Sequence, residues 1–140
     1  VLETLSNLKV LQACTVVTDF DDVLPQIQAD RSQIEQVLRN LIVNAAHALE
    51  RCATATLTMA LSTDDQGRVV LTIGDDGCGI TPEDLERIFH PFFTTKAEGT
   101  GLGLPIVKTI LDRHAATVDV ESTLGHGTRF TIRFPPIGKR

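Results

Sequence analysis

Apolar and polar positions along this chain change period several times, and each change predicts an element. In the segment 31–50 the apolar residues Ile34, Val37, Leu38, Leu41, Ile42, Ala45, Ala48 and Leu49 recur at i, i+3, i+4 and i+7. That spacing predicts a helix with one buried stripe. Asp30 supplies its N-cap, and Gln33 three residues on completes a capping-box pattern. Asn40, Asn44 and His47 form a second stripe, which at ~100° per residue falls on the shoulder of the apolar face. Upstream, apolar residues at 1, 2, 5, 8 and 11 read as the tail of a helix. It starts abruptly without a cap, as expected of a fragment of a longer protein. β-Branched residues from Thr15 to Phe20 predict a strand with a turn at Asp21-Asp22. Leu24-Pro25-Gln26-Ile27 is expected to be extended, because the residue before a proline avoids the α region.

Beyond the long helix the period shortens to two. Residues 53–61 alternate, 68–73 form a second apolar run, and Asp64-Asp65-Gln66-Gly67 joins them as a hairpin loop. Thr81 as N-cap and Pro82 at N1 start a short helix that turns Leu85, Ile88 and Phe89 inward. A further helix is expected over 104–114, where Pro105 is tolerated because it falls in the first turn. Segments 117–122 and 129–134 read as a hairpin around Leu124-Gly125-His126-Gly127. The order predicts an α+β fold: a two-layer sandwich whose mixed, mostly antiparallel sheet carries helices on one face.

Composition narrows the class. The 140 residues suit one domain with a real core, and 42% hydrophobic with 22% charged residues is ordinary for a globular chain. A net charge of −5 without a basic run argues against a nucleic-acid partner. No apolar run approaches the ~20 residues of a membrane span, so no membrane contact is expected. Cys14, Cys52 and Cys78 show no C-x-x-C spacing, which argues against a disulfide framework or zinc site and suits a reducing cytoplasm.

Candidate chemistry gathers between Gly74 and Leu104. Asp75-Asp76-Gly77-Cys78-Gly79-Ile80 opens this stretch and Gly99-Thr100-Gly101-Leu102-Gly103-Leu104 closes it. Two readings stand side by side: tight turns around a helix, or a nucleotide site with a mobile loop. A carboxylate at Asp75, flanked by glycines, can accept a hydrogen bond from an exocyclic amine, and equally can sit in an Asp-Gly turn. The second glycine run precedes a helix, so its backbone amides can cradle phosphates. Lys96 is either a counter-charge to a terminal phosphate or a solvated loop lysine. Asn44 offers a neutral hard oxygen suited to one position on Mg²⁺, with Asn40 one turn earlier. A helix-edge hydrogen-bonding role for that pair stays open. Thr128, after the glycine turn Gly125-His126-Gly127, is a possible partner for the base.

In order and spacing these motifs resemble the ATP-binding catalytic domain of sensor histidine kinases, of the GHKL superfamily with its Bergerat fold. The likeness covers roughly residues 15–136. Asn40-Leu41-Ile42-Val43-Asn44-Ala45 looks like the N box and Asp75 to Ile80 like the first glycine box. Ile88-Phe89-His90-Pro91-Phe92-Phe93-Thr94-Thr95-Lys96 looks like the F box, in a form similar to nitrogen-, oxygen- and dicarboxylate-sensing kinases. Gly99 to Leu104 looks like the second glycine box, and Gly125 to Phe130 like the last glycine motif.

The resemblance implies ATP and Mg²⁺ as cofactors. Asn44 would hold the metal, while Asn40 would contact phosphates or metal-bound water. Asp75 would bind adenine, helped by Thr128, with Gly77, Gly79 and Ile80 lining the base. A mobile ATP lid from His90 to Gly103 would close over the phosphates, contributing Phe92, Thr94, Thr95, Gly99, Thr100, Gly101, Leu102 and Gly103, with Leu104 beyond it and Lys96 near the γ-phosphate. Residues 1–14 would then end a dimerisation helix or linker and 15–140 form the catalytic domain. The expected partners are a dimerisation domain bearing the phosphoacceptor histidine and a response-regulator receiver domain. The parent would be a homodimer, cytoplasmic in this part, and the fragment a monomer.

Three departures from the family pattern matter. His47 stands where many members carry a phosphate-contacting Lys, so its role is either that contact or a helix-surface histidine. Ala115-Ala116 stands where members commonly have Gly-Gly after His114, so a different helix end is expected. No His sits in a phosphoacceptor setting, so this fragment alone should not autophosphorylate. Hydrolysing members place a Glu four residues before the metal Asn to activate water; Asn40 cannot act as a base, which favours a kinase over an ATP-driven machine unless neighbouring Glu35 or Glu50 substitutes. The rival readings are a related serine kinase acting as an anti-sigma factor and a nucleotide-binding regulatory module without transfer.

Overall fold

The computed structural model of the chain describes residues 15–21, 24, 27–49, 56–90 and 103–136. Its strands are β1 (Thr15–Phe20), β2 (Thr56–Thr63), β3 (Val69–Asp75), β4 (Thr117–Thr123) and β5 (Gly127–Phe134); its helices are α1 (Arg31–Leu49), α2 (Pro82–Leu85) and α3 (Gly103–Arg113). The strands form one sheet in the order β1-β2-β3-β5-β4. β1 runs parallel to β2, and the other pairs are antiparallel. No helix among the described residues is long and apolar enough to cross a membrane.

Register turns the alternation of each strand into rows across the inner face, because side chains at i and i+2 share a side. Leu61, Leu71, Ile132 and Val118 form one row; Met59, Ile73, Phe130 and Val120 form the next. The row after that is Leu57, Asp75, Thr128 and Ser122. The apolar face of the sheet therefore ends in a rung that turns polar from β3 onward.

α1 and α3 cover the inner face. Val37, Leu41 and Ile42 of α1 meet Val107 and Leu111 of α3 over Leu57, Met59, Ile73 and Ile132, all at most 2% exposed. The opposite face is polar. Arg129–Glu121 (2.9 Å) and Arg133–Asp119 (2.7 Å) pair across β5 and β4 there, worth ~0.2–1 kcal/mol each at such exposure.

The helix termini show where pattern and structure part. Asp30 caps α1 by accepting the Gln33 N–H at 3.1 Å. The Asp30 N–H, which a full capping box would give to the Gln33 side chain, goes instead to His114 Nε2 at 3.0 Å. His114 Nδ1–H donates to the Ile110 carbonyl at 2.8 Å, so the end of α3 is fastened to the start of α1. At that end Ala115 takes φ +55°. Its N–H reaches the Asp112 carbonyl and the Ala116 N–H the Leu111 carbonyl, the Schellman pattern. The different helix end expected from Ala115-Ala116 is thus corrected: α3 stops as a glycine-ended helix does, with an alanine in the left-handed position.

Other boundaries move by one or two residues. α3 begins at Gly103 and ends at Arg113, one residue earlier at each end than expected. β3 includes Gly74 and Asp75, because both pair with β5 (Gly74↔Arg129, Asp75↔Thr128). Asp75 therefore ends the strand rather than following it. β5 starts at Gly127, two residues before the expected 129, since Gly127 and Thr128 pair with Thr123 and Ser122. The helix tail (1–11) and residues 53–55 of the second expected strand lie outside the described residues.

Candidate functional site

The polar rung and two glycine turns build one end of the sheet. Asp75 Oδ1 accepts the Gly77 N–H at 2.9 Å, an Asx turn that lifts the chain off β3. The loop then runs against the β4–β5 turn, where the Gly125 N–H donates to the Cys78 carbonyl at 2.8 Å. Gly79 (φ +76°) lies so close to β4 that a Cβ would strike the Thr123 carbonyl; at Gly127 (φ +121°) a Cβ would strike the Asp75 carbonyl. Both glycines are required by close backbone approach as well as by φ. The glycine turn Gly125-His126-Gly127 is the floor on which the Asp75 loop rests.

Ser122 ties this together. Its Oγ accepts the Ile80 N–H at 2.7 Å, donates to the Gly127 carbonyl at 2.8 Å and lies 2.9 Å from Thr128 Oγ1. Thr128 is 7% exposed, the one buried polar side chain among the described residues. Sequence reasoning missed Ser122. The signal was a hydroxyl at the position where β4 continues the inward series Val118, Val120.

Asp76, next to the site, has a holding role: its Oδ1 accepts the Thr56 N–H at 3.0 Å and anchors the start of β2. Cys78 is exposed on the loop.

The expected site residues fall in four groups. Asp75, Gly77, Gly79, Ile80 and Thr128 are brought together by the rung and its loop. Asn40 and Asn44 lie half-buried one turn apart on α1, which packs against β3 and α3. His47 is in the same helix, its side chain outside the described residues. Gly103 opens α3, and Leu104 in its first turn packs against the core. Phe92, Thr94, Thr95, Lys96, Gly99, Thr100, Gly101 and Leu102, the greater part of the expected lid, lie outside the described residues.

Hollows among the described residues mark two parts of the surface. One, of about 520 Å³, lies at this end of the sheet and is lined by Gly74, Glu121 and Arg129 as well as Asp75 and Thr128. Gly74 and Arg129 alternate with the inward residues, so it opens on the polar face, away from α1. The other, of about 390 Å³, lies between α1 and α3, lined by Gln33, Gln36, Ile106 and Arg113. Neither is lined by Asn40 or Asn44.

A sheet ending in an acceptor-bearing rung, beneath a helix carrying paired asparagines, defines a class that the comparisons with known proteins then specify. Residues 29–137 match the family described as histidine kinase-, DNA gyrase B-, and HSP90-like ATPase, and the chain belongs to that family. The sensor histidine kinase ZraS of Salmonella typhi is 46% identical over 120 residues, covering 86% of this chain and 25% of the relative. The full-length ShkA structure in complex with AMPPNP has a TM-score of 0.82 and 30% identity, covering 96% of this chain and 29% of that one. The mycobacterial sensor histidine kinase MprB has a TM-score of 0.81 and 26% identity, covering 96% and 90%. The chain thus spans about a quarter of the length of curated relatives such as ZraS. Within the family, it is a domain of the kind found in sensor histidine kinases.

Proposed function

We propose that this chain binds Mg-ATP and serves as the catalytic ATP-binding domain of a sensor histidine kinase. It would present the γ-phosphate to a histidine on a separate dimerisation domain, for relay to a response-regulator aspartate. The observation that carries this reading is the polar rung, where Asp75 and Thr128 stand side by side at the end of an otherwise apolar sheet face.

The roles follow from the chemistry each side chain has. The Asp75 carboxylate accepts from the amine of adenine, and Thr128, beside it in register, completes the base contact. Gly77, Gly79 and Ile80 form the wall that the Asx turn holds in place. Among the described residues no cluster of three His, Cys, Asp or Glu could cage a metal. A single Asn44 oxygen fits Mg²⁺ as co-ligand to phosphates and water. Mg-ATP supplies the phosphoryl group with its charge already partly neutralised. Asn40 orients phosphate or metal-bound water, and Lys96 meets the terminal phosphate from the lid. Phosphoryl transfer asks for positioning more than for a covalent protein partner. With an amide at 40 rather than a carboxylate, that position gives water no base, which favours transfer over hydrolysis. On this reading residues 1–14 belong to the end of the dimerisation helix or linker, the parent is a dimer, and the domain works in the cytoplasm.

Titration calorimetry with a non-hydrolysable ATP analogue, with and without Mg²⁺, tests the site. Asp75→Asn trades a charged acceptor for an amide and should weaken binding about 10- to 100-fold, from the ~1.5–3 kcal/mol of a charged hydrogen bond. Asn44→Ala should chiefly abolish the gain in affinity that Mg²⁺ confers. Unchanged binding in both variants would sink the assignment. A dimerisation domain added in trans, followed by acid-labile ³²P, tests transfer to histidine.

A further inference from the structure

Ser122 has one proton and three neighbours, and counting protons decides what Thr128 can do. The Ile80 N–H is a donor, so Ser122 Oγ accepts it at 2.7 Å. The Gly127 carbonyl can only accept, so the proton in the 2.8 Å contact belongs to Ser122. That proton is then spent. The 2.9 Å contact with Thr128 Oγ1 must be filled by the threonine's own proton. Thr128, in register with Asp75 on its other side, is left with lone pairs alone for any further partner.

We propose that Ser122 is a positioning residue for base selection, which orders the hydroxyl protons along the polar rung so that Thr128 is an acceptor. The inference rests on the ATP site proposed above. Asp75 as a carboxylate and Thr128 as an acceptor both favour a purine that carries an amine. Both meet a purine carbonyl lone pair to lone pair. Ser122 also pins Ile80, the far end of the Asp75 loop, to β4, so the same atom fixes the distance between loop and rung. Without Ser122 the Thr128 hydroxyl is free to turn its proton toward a carbonyl.

The test compares Kd for ATP and for inosine triphosphate, where a carbonyl replaces the amine, on the 140-residue chain and its variants. Wild type should prefer ATP. Ser122→Ala should weaken ATP about 2- to 10-fold and shrink the preference by a similar factor, the range of one net hydrogen bond. Ser122→Thr, which keeps the hydroxyl, should restore the preference. Because the effect acts through Thr128, adding Ser122→Ala to Thr128→Val should leave the preference where Thr128→Val alone put it. A merely structural role would lower both affinities together and move no ratio. Ser122→Cys, whose sulfur bonds weakly, is measured in parallel, so that a misfolded alanine variant still leaves a ratio to read. A preference unchanged in Ser122→Ala or Ser122→Cys, while Asp75→Asn weakens ATP, overturns the Ser122 role and spares the site. Loss of the Asp75→Asn effect overturns both.

Discussion

Ala115 offers a direct measure of what the end of α3 costs. It stands at φ +55° with the two hydrogen bonds of a Schellman end around it, so the backbone is held there by its neighbours and not by its own preference. A non-glycine residue in that region costs roughly 1–2 kcal/mol. Ala115→Gly removes the cost but adds freedom to the unfolded chain, worth ~0.4–1 kcal/mol against folding. The difference leaves a gain of about 0.5–1 kcal/mol, or roughly 2–4 °C in Tm for a domain of this size. Ala116→Gly is the matched control. Ala116 is 5% exposed and has no positive φ, so the change loses a buried methyl and adds backbone entropy, costing about 1 kcal/mol. Urea and thermal melts on the two variants and wild type should therefore move in opposite directions. Affinity for an ATP analogue should not move with Ala115→Gly, because Ala115 is at the far end of α3 from Gly103. A neutral or destabilised Ala115→Gly, or stabilisation of both variants alike, would refute the account of this terminus.

Two further predictions separate local causes. Gly127→Ala drives a Cβ into the Asp75 carbonyl and should cost more than about 3 kcal/mol, whereas Gly125→Ala in the same turn, with open space around it, should cost only about 1 kcal/mol; denaturant midpoints decide. Partial burial raises the pKa of the Asp64 carboxyl, but the Arg68 N–H, the Arg68 guanidinium and the Gln66 N–H outweigh it and hold it below 3.8. A depressed folded pKa stabilises above the unfolded value and the advantage fades as pH falls below it. The stability gap between wild type and Asp64→Asn should thus be constant near neutrality and shrink as pH drops below about 4, and a gap independent of pH would refute that assignment.

What the chain disclosed on reading, and what it withheld, divides by the range of the interactions concerned. The apolar stripe of α1 from Ile34 to Ala45, the Thr81 cap with Pro82, and the Asp64–Gly67 loop are each set by residues a few positions apart, and each is found as expected. The capping box at Asp30 is local in pattern too, yet its second bond goes to His114, 84 residues away. Nothing near Gln33 could have announced that competitor. The candidate site carries the same lesson further. Asp75 drew notice through its glycines, and Thr128 through the turn before it. Ser122 has no such marker, and a serine near the end of a predicted strand is ordinary. Its meaning comes from two registers at once, Asp75↔Thr128 and Thr128↔Ser122, which place three residues from three strands in one line. Register is the property that alternation leaves unspecified, since the same pattern suits any shift of two. A polar rung at the end of an apolar face is what a sheet needs in order to offer hydrogen bonds to a ligand without breaking its own core. It costs little there, because Asp75, Thr128 and Ser122 already have partners within the rung and its loops. One row further in, at Ile73, Phe130 and Val120, those three side chains would face the packed helices. The position of the site at the strand ends is thus a consequence of where polar groups can be satisfied.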